Sequence, residues 1–210
     1  MISSNYRHKT KGFTDSIGGM LAGIGLKANH VTMLSVVLAI VTAFAIIKGQ
    51  WLAGGILILV TGAMDALDGA VARATNSSTK FGSYFDAVTD RYVEAVIFFA
   101  IGLSSGLWVL VFIAFLGSII TSYNKARAAI EVKVENANWP ELLERTERIL
   151  LLGIGLIAFG IYSKEIFSFT LLFWFLLALA ILSNLSAIQR FFRAKKLIEK
   201  PKTKRKAKGI

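Results

Sequence analysis

Cysteine is absent from the chain. A disulfide framework, a thiolate nucleophile and any cysteine-based metal centre are therefore excluded. Proline is almost as scarce: Pro140 and Pro201 are the only two, which leaves long stretches free to run as uninterrupted helix. Charged residues make up 18%, and the acids are outnumbered, 13 Asp and Glu against 24 Lys and Arg. Apolar residues fill the space: 55% of the 210 residues are hydrophobic, with 15 Phe and 4 Trp, and the mean hydropathy is +0.61. A soluble domain of this size has too much surface to bury so much apolar side chain. The net charge of +11 would suggest nucleic acid in a soluble chain. In a chain this apolar it marks the cytoplasmic side of a membrane, and no nucleic-acid partner is expected. The composition is that of an integral membrane protein.

Six apolar stretches reach or approach the roughly 20 residues a helix needs to cross a bilayer. They run His30–Lys48, Trp51–Ala74, Phe81–Leu103, Leu107–Ala129, Leu142–Tyr162 and Ile166–Phe191. The expected fold is all-α, with six transmembrane helices. The links at Gly49–Gln50, Ser104–Gly106 and Ser163–Glu165 are so short that neighbouring helices must be antiparallel. Ahead of the first span, Phe13, Ile17, Leu21 and Ile24 recur at helical spacing, which predicts an N-terminal amphipathic helix on the membrane surface. Arg7, Lys9, Lys11, Asp15 and Lys27 break up these first thirty residues, so no signal peptide is expected. Of the 24 Lys and Arg, only Lys48 and Lys164 fall in the short links. The positive-inside rule then puts the opposite helix ends, and both termini, in the cytoplasm. The expected organisation is a juxtamembrane segment 1–28, a six-helix domain 29–194 and a basic tail 195–210 that anchors beside anionic headgroups.

At the cytoplasmic ends of the second and third spans stand carboxylates that a membrane disfavours. Asp65 and Asp68 are i,i+3 and Asp86 and Asp90 are i,i+4, so each pair shares one helical face. Side by side, the two helices would gather four carboxylates in one pocket, at a cost of several kcal/mol unless a cation neutralises them. Pairing with Arg73 and Arg91 alone would leave the four acids unbalanced. Oxygen-only ligands point to a hard cation, Mg²⁺, Mn²⁺ or Ca²⁺, and four carboxylates suit two ions better than one. Gly69 and Gly82 remove side chains where a ligand would approach the helix backbone. Arg73, a turn beyond Asp68, can bind phosphate with two parallel hydrogen bonds. Metal and arginine in an apolar helical pocket suit a diphosphate.

The pattern D-x2-D-G-x2-A-R-x8-G-x3-D-x3-D, matched at every fixed position from Asp65 to Asp90, resembles the signature of the CDP-alcohol phosphatidyltransferase family. The resemblance implies six transmembrane helices, a homodimer and a cytoplasm-facing site. It also implies transfer of a phosphatidyl-type group from a CDP-linked lipid donor to an alcohol, with release of CMP. Carried over residue by residue, Asp65, Asp68, Asp86 and Asp90 are the expected metal ligands, and Asp90 the expected general base. Two Mg²⁺ or Mn²⁺ ions bridging the diphosphate make CMP a leaving group, and a carboxylate accepts the proton of a poorly acidic alcohol. His8 and His30 are the only histidines and neither lies near the carboxylates in sequence, so direct in-line displacement is expected rather than a covalent enzyme intermediate. Asn29 and Thr32 resemble the family's Pro-Asn-x-x-Thr turn, with Ala28 in place of the proline. Asn29 either caps the first span or touches the cytidine. Thr79 resembles a further nucleotide contact, the alternative being a solvated loop hydroxyl.

The second half must select the acceptor. Lys125, Arg127, Arg148 and Arg190 all fall at cytoplasmic helix ends, and together would form a cationic pocket for an acceptor that carries its own phosphate. The bland alternative is positive-inside bias, with Glu144 and Glu147 as partners. Ser-Tyr-x-Lys-Ala-Arg at 122–127 and Glu-Arg-x-Glu-Arg at 144–148 resemble the branch that makes phosphatidylinositol phosphate or its archaeal ether-lipid counterpart. That branch implies inositol 1-phosphate as acceptor, a phosphorylated polyol. A cousin that condenses CDP-inositol with inositol phosphate, and glycerol-phosphate transfer, are the enzymatic alternatives. A transporter would show repeated halves and charges at mid-span, and neither is visible here.

Overall fold

The computed structural model describes residues 2–132 and 142–199, with the backbone alone for residues 2–11. The polar loop containing Pro140 and the tail beyond Glu199 lie outside the described residues. Among the described residues seven helices and one hairpin follow in order: α1 (Ile2–Gly23), α2 (Ala28–Ile47), α3 (Trp51–Ala74), α4 (Lys80–Ser105), α5 (Trp108–Glu131), α6 (Arg145–Ile161), β1 (Glu165–Ile166), β2 (Phe169–Thr170) and α7 (Leu171–Ile198). The first four expected spans coincide with α2 to α5 to within a few residues.

The last two differ from expectation, each for a local reason. Helix α6 begins at Arg145 rather than Leu142, because Glu144 takes the N-cap position and its N–H donates to the Glu147 carboxylate at 3.0 Å. Those two acids thus close a helix end. Helix α7 begins at Leu171 rather than Ile166. Residues Phe167 and Ser168 take left-handed φ values of 53° and 64° and turn the chain back, pairing Glu165 with Thr170 and Ile166 with Phe169. Thr170 then caps α7 by accepting from the Phe173 N–H.

Among the described residues four helices, α2, α3, α5 and α7, are long and apolar enough to cross a membrane. With these the chain is a multi-pass membrane protein. Helix α4 is long but carries Lys80, Asp86, Asp90, Arg91 and Glu94. Helix α6 has 17 residues, about 26 Å of helix at 1.5 Å per residue, somewhat less than a full hydrocarbon core. Both pack inside the group: α4 lies against α2 and α5, and α6 against α3 and α7. Ile46, Ile58, Ile101, Leu156, Leu172, Leu176 and Leu179 form the buried core. Apolar side chains such as Val37, Phe44, Phe112 and Leu185 point outward, as a lipid-facing surface requires.

Close helix contacts rest on small residues, since lipid supplies no hydrophobic drive for helix association. A Cβ on Gly55 would lie 2.7 Å from the Gly153 carbonyl oxygen, so the α3–α6 crossing is backbone to backbone. Helix α1 packs on α3. Of its predicted apolar stripe, Phe13 and Ile24 are exposed and Ile17 and Leu21 half-buried, while the buried position is Gly18.

Candidate active site

Helix α2 packs against both α3 and α4, and beside it the carboxylates of those two helices meet. One ligand oxygen from each of Asp65, Asp68 and Asp86 lies within 4.8 Å of the others. Two oxygens on one small divalent ion sit roughly 3–4 Å apart, given metal–oxygen bonds of about 2.1 Å, so a small inward movement completes the set. The donors are all oxygen, which fits a hard cation. Asp68 is buried, and Thr32 Oγ1 donates to its Oδ2 at 2.9 Å, fixing the carboxylate's rotation.

Asp90 belongs to a different arrangement. Its Oδ1 accepts from Arg145 Nη2, while Arg145 Nη1 pairs with Asp65 Oδ1 at 2.8 Å. One guanidinium therefore joins α6 to both α3 and α4. The Oδ2 of Asp90 faces Arg91 at 3.8 Å. One turn deeper stands Glu94, which meets Arg91 Nη1 at 3.2 Å and Arg148 Nε at 3.9 Å and accepts from the Ser118 hydroxyl. Arg91 also donates to Ser122 Oγ at 2.6 Å, and Arg148 to the Leu143 carbonyl at 3.2 Å. Ion pairing thus offsets part of the cost of charges at this depth, although among the described residues Glu94 Oε2 accepts no hydrogen bond and Arg148 Nε donates none.

On the other side of the trio opens a cavity of about 220 Å³, far more than an ion or a water requires. Its wall includes Asn29 and Thr32 from α2, Asp68 and Gly69 from α3, and Thr79, Gly82 and Asp86 around the start of α4. Three separated segments of chain are brought together there. Asn29 sits within the first turn of α2, whose N-cap is Lys27, so capping is not its role. Thr79 caps α4, its Oγ1 accepting from the Gly82 N–H at 2.9 Å. Arg73 does not line the cavity directly. Asp15 of α1 holds it, with Nε at 3.2 Å and Nη2 at 2.6 Å from Oδ1.

The expected acceptor residues divide. Arg148 and Arg190 are buried, and Arg190 Nη1 donates to the Thr121 carbonyl. Lys125 is half-buried at the same end of α5. Arg127 faces outward and pairs with Glu131 at 2.7 Å, one turn away on its own helix, so it stands apart from the buried arginines. Sequence reasoning missed Arg145, Glu94 and Asp15. Arg145 lies i,i+3 from Arg148 on one helix face, and Glu94 continues the Asp86–Asp90 spacing by four. Both were detectable by extending the helical-face argument one turn further.

The chain is similar to known proteins in both sequence and fold. A sequence model of the CDP-alcohol phosphatidyltransferase family matches residues 26–185. Over 201 residues the chain is 32% identical to an archaetidylinositol phosphate synthase of Pyrococcus horikoshii, which spans 93% of this chain and 98% of that protein. The crystal structure of a Mycobacterium tuberculosis phosphatidylinositol phosphate synthase with CDP-DAG bound is similar at a TM-score of 0.73 and 26% identity, over 86% of this chain and 92% of that one. A structure of the same enzyme in complex with manganese and citrate has a TM-score of 0.73 at 25% identity, over 87% and 88%. With the signature, the carboxylate trio and the bundle in place, the chain belongs to the CDP-alcohol phosphatidyltransferase family and is a transferase.

Proposed function

We propose that this protein transfers a phosphatidyl-type group, a diacyl- or dialkylglycerol phosphate, from a CDP-linked lipid to inositol 1-phosphate and releases CMP. The observation that carries the reading is the carboxylate trio standing between two unlike compartments. On one side is the cavity walled by Asn29, Thr79 and Gly82, and on the other the guanidinium groups around Asp90. The first suits a nucleotide and the second an anionic acceptor.

In this reading Asp65, Asp68, Asp86 and Asp90 hold two Mg²⁺ or Mn²⁺ ions, which when bound neutralise the diphosphate. The relative that binds manganese supports the metal class. Asn29, Thr32, Gly69, Thr79 and Gly82 seat the CDP moiety, and Arg73 takes a diphosphate oxygen. Lys125, Arg148 and Arg190 hold the acceptor's phosphate, with Arg145 beside them and Arg127 adding only its field. Asp90 accepts the proton of the attacking hydroxyl. That oxygen bonds to the lipid-side phosphorus as the bridging P–O bond breaks, and CMP leaves with the bridging oxygen. Six helices, α2 to α7, span the bilayer, with α1 as the juxtamembrane segment and the site and both termini cytoplasmic. A homodimer is the assembly the family resemblance implies.

The test is transfer by purified protein with CDP-diacylglycerol, its dialkyl counterpart or CDP-inositol as donor, each offered inositol 1-phosphate, glycerol 3-phosphate, serine and free inositol. Inositol 1-phosphate with a CDP-lipid is expected to be the preferred pair. Excess chelator should abolish transfer and Mg²⁺ or Mn²⁺ restore it. Arg148→Ala or Arg190→Ala should raise the acceptor KM about tenfold or more, the worth of a charged hydrogen bond, with little change for donor. Preference for free inositol or serine would overturn the acceptor assignment, and CDP-inositol as the better donor would overturn the lipid product.

A further inference from the structure

The signature arginine is gripped by a residue outside the signature. Arg73 offers its Nε and Nη2 edge to Asp15 Oδ1, at 3.2 and 2.6 Å. That leaves the Nη1 edge, which stands over Gly69: a Cβ built there would lie 3.4 Å from Nη1. Gly69 lines the 220 Å³ cavity together with Asp68, Gly82 and Asp86. One edge of the fork is thus held by α1 while the other stands beside Gly69, a residue of the cavity wall.

A second observation fixes α1 in place. Gly18 is buried against α3, and a Cβ on it would come within 2.7 Å of the Ala70 backbone carbon and 3.0 Å of the Val71 nitrogen. Neither neighbour can yield, since both are backbone atoms of a helix. Gly18 faces Ala70, and one turn earlier Asp15 faces Arg73, one turn later on α3. The two helices therefore cross antiparallel, and the glycine contact sets the height from which Asp15 reaches the guanidinium. Gly12 and Gly19, by contrast, have nothing within 4 Å of an added Cβ. Among the described glycines of α1, Gly18 is the one set against α3.

We propose that Asp15 is a positioning residue for the CDP-linked donor, holding Arg73 so that its free edge meets the diphosphate, and that the Gly18 contact makes α1 a wall of the donor site. A free arginine at an exposed helix end loses rotamer freedom when it binds. A carboxylate that already fixes one edge removes part of that cost. The ion pair is half-exposed, at 49% and 40% of side-chain surface, so the effect is that of a screened pair and not of a buried one.

The proposal rests on the reading of Arg73 as a donor contact, and the experiment separates the two. Full-length protein in nanodiscs is assayed with CDP-diacylglycerol and inositol 1-phosphate varied independently. Arg73→Gln should raise the donor KM about tenfold. Asp15→Asn should raise it about three- to fivefold, with kcat and the acceptor KM unchanged, and Asp15→Glu should recover most of the loss. Gly18→Val should raise donor KM to a similar extent, and the double variant with Asp15→Asn should be no worse than the poorer single, because both act through one contact. If Arg73→Gln raises donor KM while Asp15→Asn and Gly18→Val leave it unmoved, the positioning role is overturned and the donor reading stands. If Arg73→Gln itself has no effect on donor KM, both fall. A lower donor KM in Asp15→Asn would make Asp15 a competitor of the diphosphate, which also overturns the proposal. So would a failure of Asp15→Glu to recover, since that assigns the loss to packing.

Discussion

Asp90 and Asp68 lie one helix apart and are held in opposite ways. Asp90 is tied by Arg145 and faced by Arg91, whereas Asp68 takes a neutral hydroxyl from Thr32. Asp90 stands among the guanidinium groups that an anionic acceptor would approach, and Asp68 stands in the carboxylate trio. Asp90→Asn should therefore keep CDP-donor binding and lose transfer by at least about a hundredfold, measured as turnover against nucleotide affinity. Asp65→Asn or Asp68→Asn should lose Mn²⁺ binding as well. Normal turnover by Asp90→Asn would sink the base assignment. Thr32→Val removes the hydrogen bond that orients Asp68, and should weaken Mn²⁺ about tenfold by titration calorimetry with little change in Tm. The four Asp were legible in sequence because i,i+3 and i,i+4 spacing alone puts each pair on one face. The Arg145 bridge was not, because its partners lie 55 and 80 residues away, at positions set only by how α6 crosses α3 and α4. Arg127 and Arg148 look alike in sequence, as basic residues at cytoplasmic helix ends. Which one turns inward depends on packing.

The α3–α6 crossing carries Arg145 to Asp65, so its close approach serves chemistry as well as packing. Gly55→Leu would drive a side chain into the Gly153 carbonyl and the Ile157 backbone. It should destabilise the protein by about 1–3 kcal/mol and cut transfer further than the loss of fold accounts for, since α6 is pushed away from the carboxylates. Gly19→Ala, with open space around it, should leave Tm equal or slightly raised, helix propensity favouring alanine by about 1 kcal/mol. Thermal unfolding beside initial rates reads both. Helix existence was legible wherever an apolar run was long, and α2 to α5 end close to where hydropathy changes. The two misjudged starts share a cause. Hydropathy does not distinguish an apolar hairpin or loop from the helix it leads into, and Glu144 and Phe167 act through backbone geometry instead.

The absence of cysteine, which excluded thiol chemistry, makes the molecule's orientation easy to read. A single cysteine at position 77 or 164 labels against no background. In right-side-out vesicles a membrane-impermeant maleimide should label Lys164→Cys and reach Ser77→Cys only after permeabilisation. The reverse pattern would invert the site. The order of helices was legible from run length. The placement of α1 was not, because its grip on α3 runs through a glycine and an aspartate, which an amphipathic pattern scores as neutral or wrong-sided.

The ion-paired cluster also sets an order of events. Arg91, Arg145 and Arg148 pair with Asp65, Asp90 and Glu94, and among the described residues no ion pair reaches Asp68 or Asp86. Those two, with Asp65, form the trio that one divalent ion would join. A second ion has no such welcome until a diphosphate brings further negative charge. Titration with Mn²⁺ should thus fill one tight site in the protein alone and a second only with CDP-diacylglycerol present, read as bound ions per chain by electron paramagnetic resonance. Two tight ions without nucleotide would contradict this. On that stoichiometry the donor arrives as its own metal complex, and the concentration of free Mg²⁺ governs how readily the lipid substrate is recruited.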